Sequence, residues 1–197
     1  MAAEPVVPFS LTEPIRTRRL VLRLETPDDV DDVFAYQSRE DVCRYLLYEP
    51  RTRDEVLDQL ARNGAARSLE KNGDYLQLAL ELPAREGSGA RVIGDLYFTI
   101  ADLANSKAEI GWTLHPDFVG NGYAVEAATA VLDLAFRQMR LHRVVAELDP
   151  RNDGSIRLCT RLGMREEAFF AGDLWFKGDW ADTGLYAVLR DEWLNTH

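Results

Sequence analysis

The chain has 197 residues, with 23 Lys and Arg against 33 Asp and Glu, a formal net charge of −10. No basic run is longer than Arg18-Arg19, so the sequence lacks the cationic face with which a nucleic-acid binder neutralises phosphates. The apolar share of 46% suits a globular core that needs neither disulfides nor metals, and no apolar run approaches a membrane span.

Residues 1–13 hold Pro5 and Pro8, show no periodicity and no signal-peptide pattern, and are expected to form a flexible N-terminal arm or an extended strap. Residues 14–197 are expected to form a single domain. Cys43 and Cys159 are far apart and make no C-x-x-C, which points to a reduced, cytoplasmic protein. The acidic balance is compatible with a cationic substrate, or with solubility alone.

Leu20, Leu22 and Leu24 alternate with Arg19, Val21 and Arg23 and predict a first strand. Thr26-Pro27-Asp28-Asp29 is a helix start, with a capping residue, a proline at the first turn and acids at the positive end. That helix is expected to end near Ser38, and Asp41–Tyr48 is read as a short second one. Thr52-x-x-Glu55 is a capping-box pattern that opens a helix expected to run to about Glu70, with Asn72-Gly73 as its stop.

Tyr75–Leu82, Arg91–Ile100 and Lys107–Leu114 read as three strands of an antiparallel meander, the first two joined by the turn Pro83–Gly89. In the third strand Ala108, Ile110, Trp112 and Leu114 share one face, and Glu109, Gly111 and Thr113 the other. Gly111 is read as a bulge or a close backbone approach.

His115 to Ala127 reads as a strand end, a glycine-bearing loop and the first turn of a helix. Gly120 and Gly122 permit a tight turn. The unpaired N–H groups at the helix start make a socket for a phosphate or pyrophosphate. Asn121-Gly122 is also a hairpin turn signal, but the periodicity that follows is helical. The helix is expected to reach Met139, and a parallel strand at Arg143–Leu148 follows. Ser155–Leu162 predicts a short helix ended by Gly163. Met164–Phe170 and Gly184–Arg190 read as two last strands joined by an aromatic loop.

This order of elements resembles the GCN5-related N-acetyltransferase (GNAT) superfamily, and most of all the branch of the ribosomal-protein N-terminal (alanine) acetyltransferases. Four patterns carry the resemblance: Ala108-Glu-Ile-Gly-Trp112, Gly120-x-Gly-Tyr-Ala-x-Glu126, Asn152-x-x-Ser155 with Leu162-Gly-Met164, and Lys177-Gly-Asp-Trp-x-Asp182 with Glu192-Trp193. It runs from about Ile15 to Trp193. The resemblance implies an α+β fold, with a mixed, mostly antiparallel sheet flanked by helices and splayed between its fourth and fifth strands. It implies acetyl-CoA as donor and a small-molecule amine or a peptide N-terminus as acceptor. An active acetyltransferase is one reading, and a CoA-binding regulatory module that no longer transfers is the alternative. Asp117 and Cys159 depart from the family pattern, the latter standing where many members carry a tyrosine that protonates the thiolate.

On this resemblance, Phe118, Val119, Gly120, Asn121, Gly122, Tyr123 and Ala124 supply the pyrophosphate loop. Leu114 or Thr113 supplies a backbone donor to the oxyanion, Asn152 meets the pantetheine arm, and Arg157, with Arg161 conceivable beside it, takes the 3′-phosphate. Glu109 is the candidate base, against a solvated or ion-paired side chain. Ser155 is the candidate partner of the thiolate, against a helix cap. Tyr45, Trp112 and Trp175 are expected to line the acceptor cleft, and Cys159 to be a core residue or a thiol able to pair with CoA. His115, His142 and His197 have no metal-ligand spacing, so no metal is expected. The aromatic tail is available to an interface between two copies.

Overall fold

The computed structural model describes residues 4–84 and 87–196. Met1–Ala3, His197, and Arg85 and Glu86 of the expected turn lie outside the described residues.

The residues expected as an arm are tied to the body from Val6 onward. Val6 N–H donates to Met139 C=O at 2.8 Å. Phe9–Ser10 (β1) pairs antiparallel with Ser68–Leu69 (β4), and Val7, Phe9 and Leu11 pack on the core. Of the two readings, this segment takes that of an extended strap; the pairing itself was not readable because a two-residue strand carries no period.

Among the described residues, eight strands form the main sheet: Ile15–Arg16 (β2), Val21–Leu24 (β3), Tyr75–Leu82 (β5), Arg91–Asp102 (β6), Lys107–Leu114 (β7), Arg143–Leu148 (β8), Arg165–Phe176 (β9) and Asp179–Leu189 (β10). Their order is β2-β3-β5-β6-β7-β8-β10-β9, and only β7 and β8 are parallel. The expected α+β class and mixed sheet are observed. The family's fourth and fifth strands are β7 and β8 in this count. The last two strands are longer than expected. Gly172 to Asp182 forms part of a hairpin and not a loop, because Asp182 caps the Gly172 N–H at 2.7 Å and Trp175 faces Trp180 across it.

The sheet alternation sets two cores. Leu76, Leu78, Leu80, Phe98, Ala108 and Ile110 are buried with Val131, Leu132 and Phe136 from Tyr123–Asp133 (α4) and the turn after it. Trp193 of Arg190–Thr196 (α6) lies against Phe136 in this layer. Ala79 and Val92 face Val30, Val33 and Tyr36 of Val30–Gln37 (α1), and Val56 and Leu60 of Arg53–Ala65 (α3). Glu40–Cys43 (α2) and Asp153–Arg161 (α5) complete the helices.

The helix starts obey the sequence. Thr52 N–H donates to Glu55 at 2.8 Å and Glu55 N–H donates back to the Thr52 hydroxyl at 3.3 Å, closing the capping box. Three helices end or continue differently, the first being α2, which stops at Cys43 and not at the expected Tyr48. The α3 helix stops at Ala65, five residues before the expected Glu70. Asn63 and Gly64 are weak helix formers in its last turn, and Ser68–Leu69 is taken by β1. The α4 helix is regular only to Asp133 and then widens into a π-type turn to Gln138, with Met139 N–H on Leu134 C=O at 3.0 Å.

Candidate active site

Strand β7 is paired with β6 along its length, from Lys107 to Leu114. With β8 it shares only three positions, Lys107 with Arg143, Ala108 with Val144 and Glu109 with Val145. Beyond Glu109 the two strands part, while β8 stays paired with β10 to Leu148. Backbone groups alternate sides along a strand. His115 N–H reaches Ile93 C=O on β6 at 2.8 Å, so the Leu114 N–H points the other way, into the gap that β8 leaves.

The glycine loop forms one bank of this gap. Gly120 and Gly122 have φ of 85° and 78°, left-handed values that only glycine adopts freely. Gly122 is the N-cap of α4 and offers no side-chain cap. The first helical bond is Glu126 N–H to Gly122 C=O, 3.1 Å. The N–H groups of Tyr123, Ala124 and Val125 precede it and carry the partial positive charge of the helix start. Local sequence builds all of this, since a G-x-G followed by an alanine-rich stripe can turn and then only coil.

The α5 helix forms the other bank. Asn152 is its N-cap, and its Oδ1 accepts from Ser155 N–H at 3.1 Å. The cap that was the alternative reading of Ser155 falls to Asn152, which leaves the serine hydroxyl for another partner. Trp112 Nε1 donates to Ser155 Oγ at 3.2 Å across the gap. An indole N–H can only donate, so the serine's own hydrogen points elsewhere.

A cleft of about 610 Å³ runs between the banks. Of the residues expected to bind, Leu114, Val119, Gly120, Gly122, Tyr123, Ala124, Asn152, Ser155, Arg157, Tyr45 and Trp112 line it, and Arg161 joins Arg157 on its wall. Four expected residues do not. Phe118 turns inward against His115 and Tyr123. The Asn121 side chain folds back on Phe118 and Val119 carbonyls. Trp175 is 60% exposed and packs edge-on against Trp180, far out on the β9–β10 hairpin. Glu109 lies on the opposite face of the sheet, at the last paired position before the strands part.

On that face burial pushes the Glu109 carboxyl above its ordinary value, the Glu147 carboxylate adds to the rise, and Lys107 opposes it. Two further carboxylates are buried below. Asp95 accepts from Tyr36 Oη at 2.7 Å and Gln77 Nε2 at 2.8 Å. Glu25 accepts from Asn63 at 2.7 Å and has one oxygen without a partner. Burial first, and Asp95 second, push the Glu25 carboxyl up to about 8.

Gly111 departs from expectation, and Cys159 takes the first of its two readings. A Cβ on Gly111 would meet only Tyr97 at an ordinary 3.8 Å, whereas one on Gly94 would lie 2.3 Å from Thr113 C=O. The close backbone approach is thus on β6. Cys159 is fully buried, and burial pushes its thiol up to about 12, so it is a core residue and not a thiol poised for CoA. Asp117 is exposed and does not line the cleft.

Sequence reading does not find Thr17 and Arg19, which hold the glycine loop from outside. Glu126 accepts from the Thr17 hydroxyl at 2.6 Å and from Arg19 N–H and Nε at 2.7 and 2.6 Å. The partners are more than a hundred residues apart, and no local pattern signals such a pair. Asp41, Val42 and Leu46 also line the cleft. Lys177 Nζ steadies their segment through Cys43 C=O at 2.7 Å. Among the described residues no cluster of three His, Cys, Asp or Glu could hold a metal ion, and no helix is long and apolar enough to cross a membrane.

Residues 19–165 match the family model described as an acetyltransferase (GNAT) domain. The uncharacterized N-acetyltransferase YnaD of Bacillus subtilis is 31% identical over 91% of this chain and 98% of its own. The ribosomal protein uS5 alanine N-acetyltransferase of Escherichia coli is 28% identical over 91% of this chain and 92% of its own. A solved GNAT-family acetyltransferase from Bacillus anthracis superposes with a TM-score of 0.79 at 29% identity, covering 91% of this chain and 99% of that one.

Proposed function

The chain belongs to the GNAT family of N-acetyltransferases and is an acyl-CoA-dependent acetyltransferase, and from that premise we propose that it moves the acetyl group of acetyl-CoA to a primary amine by direct attack in a ternary complex. One observation carries the proposal. The parallel pairing of β7 and β8 stops at Glu109 and Val145, where the glycine loop, the α5 N-terminus and the Leu114 N–H converge on one gap.

The cleft fits the donor. Left-handed glycines without a Cβ leave the N–H groups at the head of α4 accessible to a pyrophosphate. Arg157 and Arg161, one helical turn apart on the wall, suit a further phosphate. When bound, acetyl-CoA supplies an activated acyl carbon and a thiolate leaving group.

The chain's own groups divide the remaining work. Glu109, with its raised carboxyl, takes the ammonium proton of the acceptor from the face opposite the glycine loop, directly or through water. The Leu114 N–H faces the developing oxyanion. Ser155 directs its hydroxyl hydrogen to the departing sulfur, because Trp112 occupies its acceptor side. Tyr45 and Trp112 bound the acceptor approach. The acceptor is a small amine or a peptide N-terminus. The name of the Escherichia coli relative supports testing an alanine N-terminus first, and the net charge of −10 supports cationic amines beside it.

The experiment is thiol release from acetyl-CoA with a panel of peptides bearing Ala or Ser N-termini, polyamines and aminoglycosides. Turnover with at least one amine is expected. Tight CoA binding without turnover on any amine overturns the proposal and leaves a CoA-binding module.

A further inference from the structure

Arg19 makes four separate contacts with the start of α4 and the loop before it. Its Nε and its backbone N–H both donate to Glu126, at 2.6 and 2.7 Å. Its Nη1 donates to Asn121 C=O at 2.9 Å. Its guanidinium lies 4.3 Å from the centre of the Tyr123 ring. Thr17, two residues earlier, adds a hydroxyl bond to the same Glu126 carboxylate at 2.6 Å. Arg19 itself does not line the cleft.

The contact with Asn121 has a geometric consequence. A trans peptide is planar, so its C=O and N–H point in opposite directions. With the Asn121 carbonyl held on Arg19, the Gly122 N–H of the same peptide faces away from Arg19, on the side of the cleft that Gly122 lines. A flip of this peptide turns ψ of Asn121 and φ of Gly122; the glycine side, at φ 78°, offers no steric resistance, so the Arg19 bond to the Asn121 carbonyl is what fixes its direction. Stacking on Tyr123 and pairing with Glu126 fix the residues that follow.

We propose that Arg19 is a positioning residue that locks the Asn121–Gly122 peptide in the orientation that presents its N–H to the donor's pyrophosphate, with Glu126 and Thr17 as the anchor. The inference rests on reading residues 118–124 as the pyrophosphate loop. It assigns Arg19 no contact with the reacting atoms. A pair separated by 107 residues in sequence thereby ties the first sheet strands to donor binding.

The test compares acetyl-CoA with S-acetyl-pantetheine, which carries the same thioester and no diphosphate. For Arg19→Gln, KM for acetyl-CoA is expected to rise about tenfold, which corresponds to about 1.4 kcal/mol. Turnover number and amine KM stay within about twofold, and kinetics with S-acetyl-pantetheine are unchanged. Arg19→Lys does not restore KM, because one ammonium cannot serve Glu126, Asn121 and the Tyr123 face together. Glu126→Gln gives the same selective rise, and serves if Arg19→Gln does not fold. The double variant is no worse than the weaker single one. An equal loss with both donors overturns the proposal, because it marks general loosening. Wild-type kinetics in Arg19→Lys also overturns it, because charge alone then suffices. If the wild-type protein uses both donors with equal KM, the pyrophosphate-loop reading fails first and this inference falls with it.

Discussion

Trp112 donates its indole N–H to the Ser155 hydroxyl at 3.2 Å, joining β7 to α5 across the point where the sheet opens. A donor-only partner takes one lone pair of the serine oxygen and leaves its hydrogen for another acceptor. Ser155→Ala is therefore expected to lower kcat about a hundredfold, the lower end of what a positioned proton donor contributes, with KM for acetyl-CoA little changed. Trp112→Phe keeps the ring and removes the donor. It is expected to lower kcat roughly fivefold, the ~1 kcal/mol of one neutral hydrogen bond, and to add nothing on top of Ser155→Ala. Steady-state kinetics of the three variants checks both, and a full additive loss would separate the two residues.

Glu109 and Glu147 share the open face of the sheet, and the Glu147 carboxylate adds to the burial that raises Glu109's cost of ionising. If Glu109 is the base, the acid limb of the pH–rate profile has its midpoint above the ordinary carboxylate range, with activity rising as the group ionises. Glu147→Gln moves that midpoint to lower pH. Glu109→Gln removes the limb and lowers kcat by about 10²-fold. A wild-type rate in Glu109→Gln takes the residue out of the mechanism.

Gly120 and Gly73 have nearly the same left-handed φ, 85° and 84°, and at both the space a Cβ would fill is open. Alanine at either position costs about 1–2 kcal/mol of backbone strain. Only Gly120 belongs to the cleft. Gly120→Ala is expected to raise KM for acetyl-CoA roughly five- to thirtyfold, while Gly73→Ala lowers the melting temperature and leaves KM alone. Equal KM values for the two variants would argue against a donor role for the loop.

Glu25 makes stability depend on pH in an unusual direction. Its folded carboxyl is pushed up to about 8, far above the unfolded value. Between about pH 4.5 and 8 the unfolded chain has released this proton and the folded one has kept it, so stability falls as pH rises. The slope approaches about 1.4 kcal/mol per pH unit for one such group. Glu25→Gln, neutral at every pH, is expected to flatten that decline and to be more stable than wild type at pH 8. Urea melts at pH 5, 6.5 and 8 read the difference, and parallel curves for the two proteins would refute it.

Much of this protein was legible in the residue order. The period-2 run of Leu76, Leu78 and Leu80, the capping box at Thr52 and Glu55, and the glycine loop before an alanine-rich helix are local features. Their physics acts over a few residues, so strands, helix starts and the glycine turn could be read directly. The contacts that remained hidden are those between distant segments. Trp112 meets Ser155 and Arg19 meets Glu126 only because β7, α4, α5 and the β2–β3 turn are brought together by the sheet order. The sequence by itself determined the run of strands and helices and the glycine turn before α4, since periodicity and glycine conformation need no partner. Tertiary structure alone decided between the two readings of Cys159, which is sealed in the core, and set Arg19 on the Asn121 carbonyl. Burial, strand register and the direction of a peptide are properties of packed neighbours, and no single stretch of chain contains them.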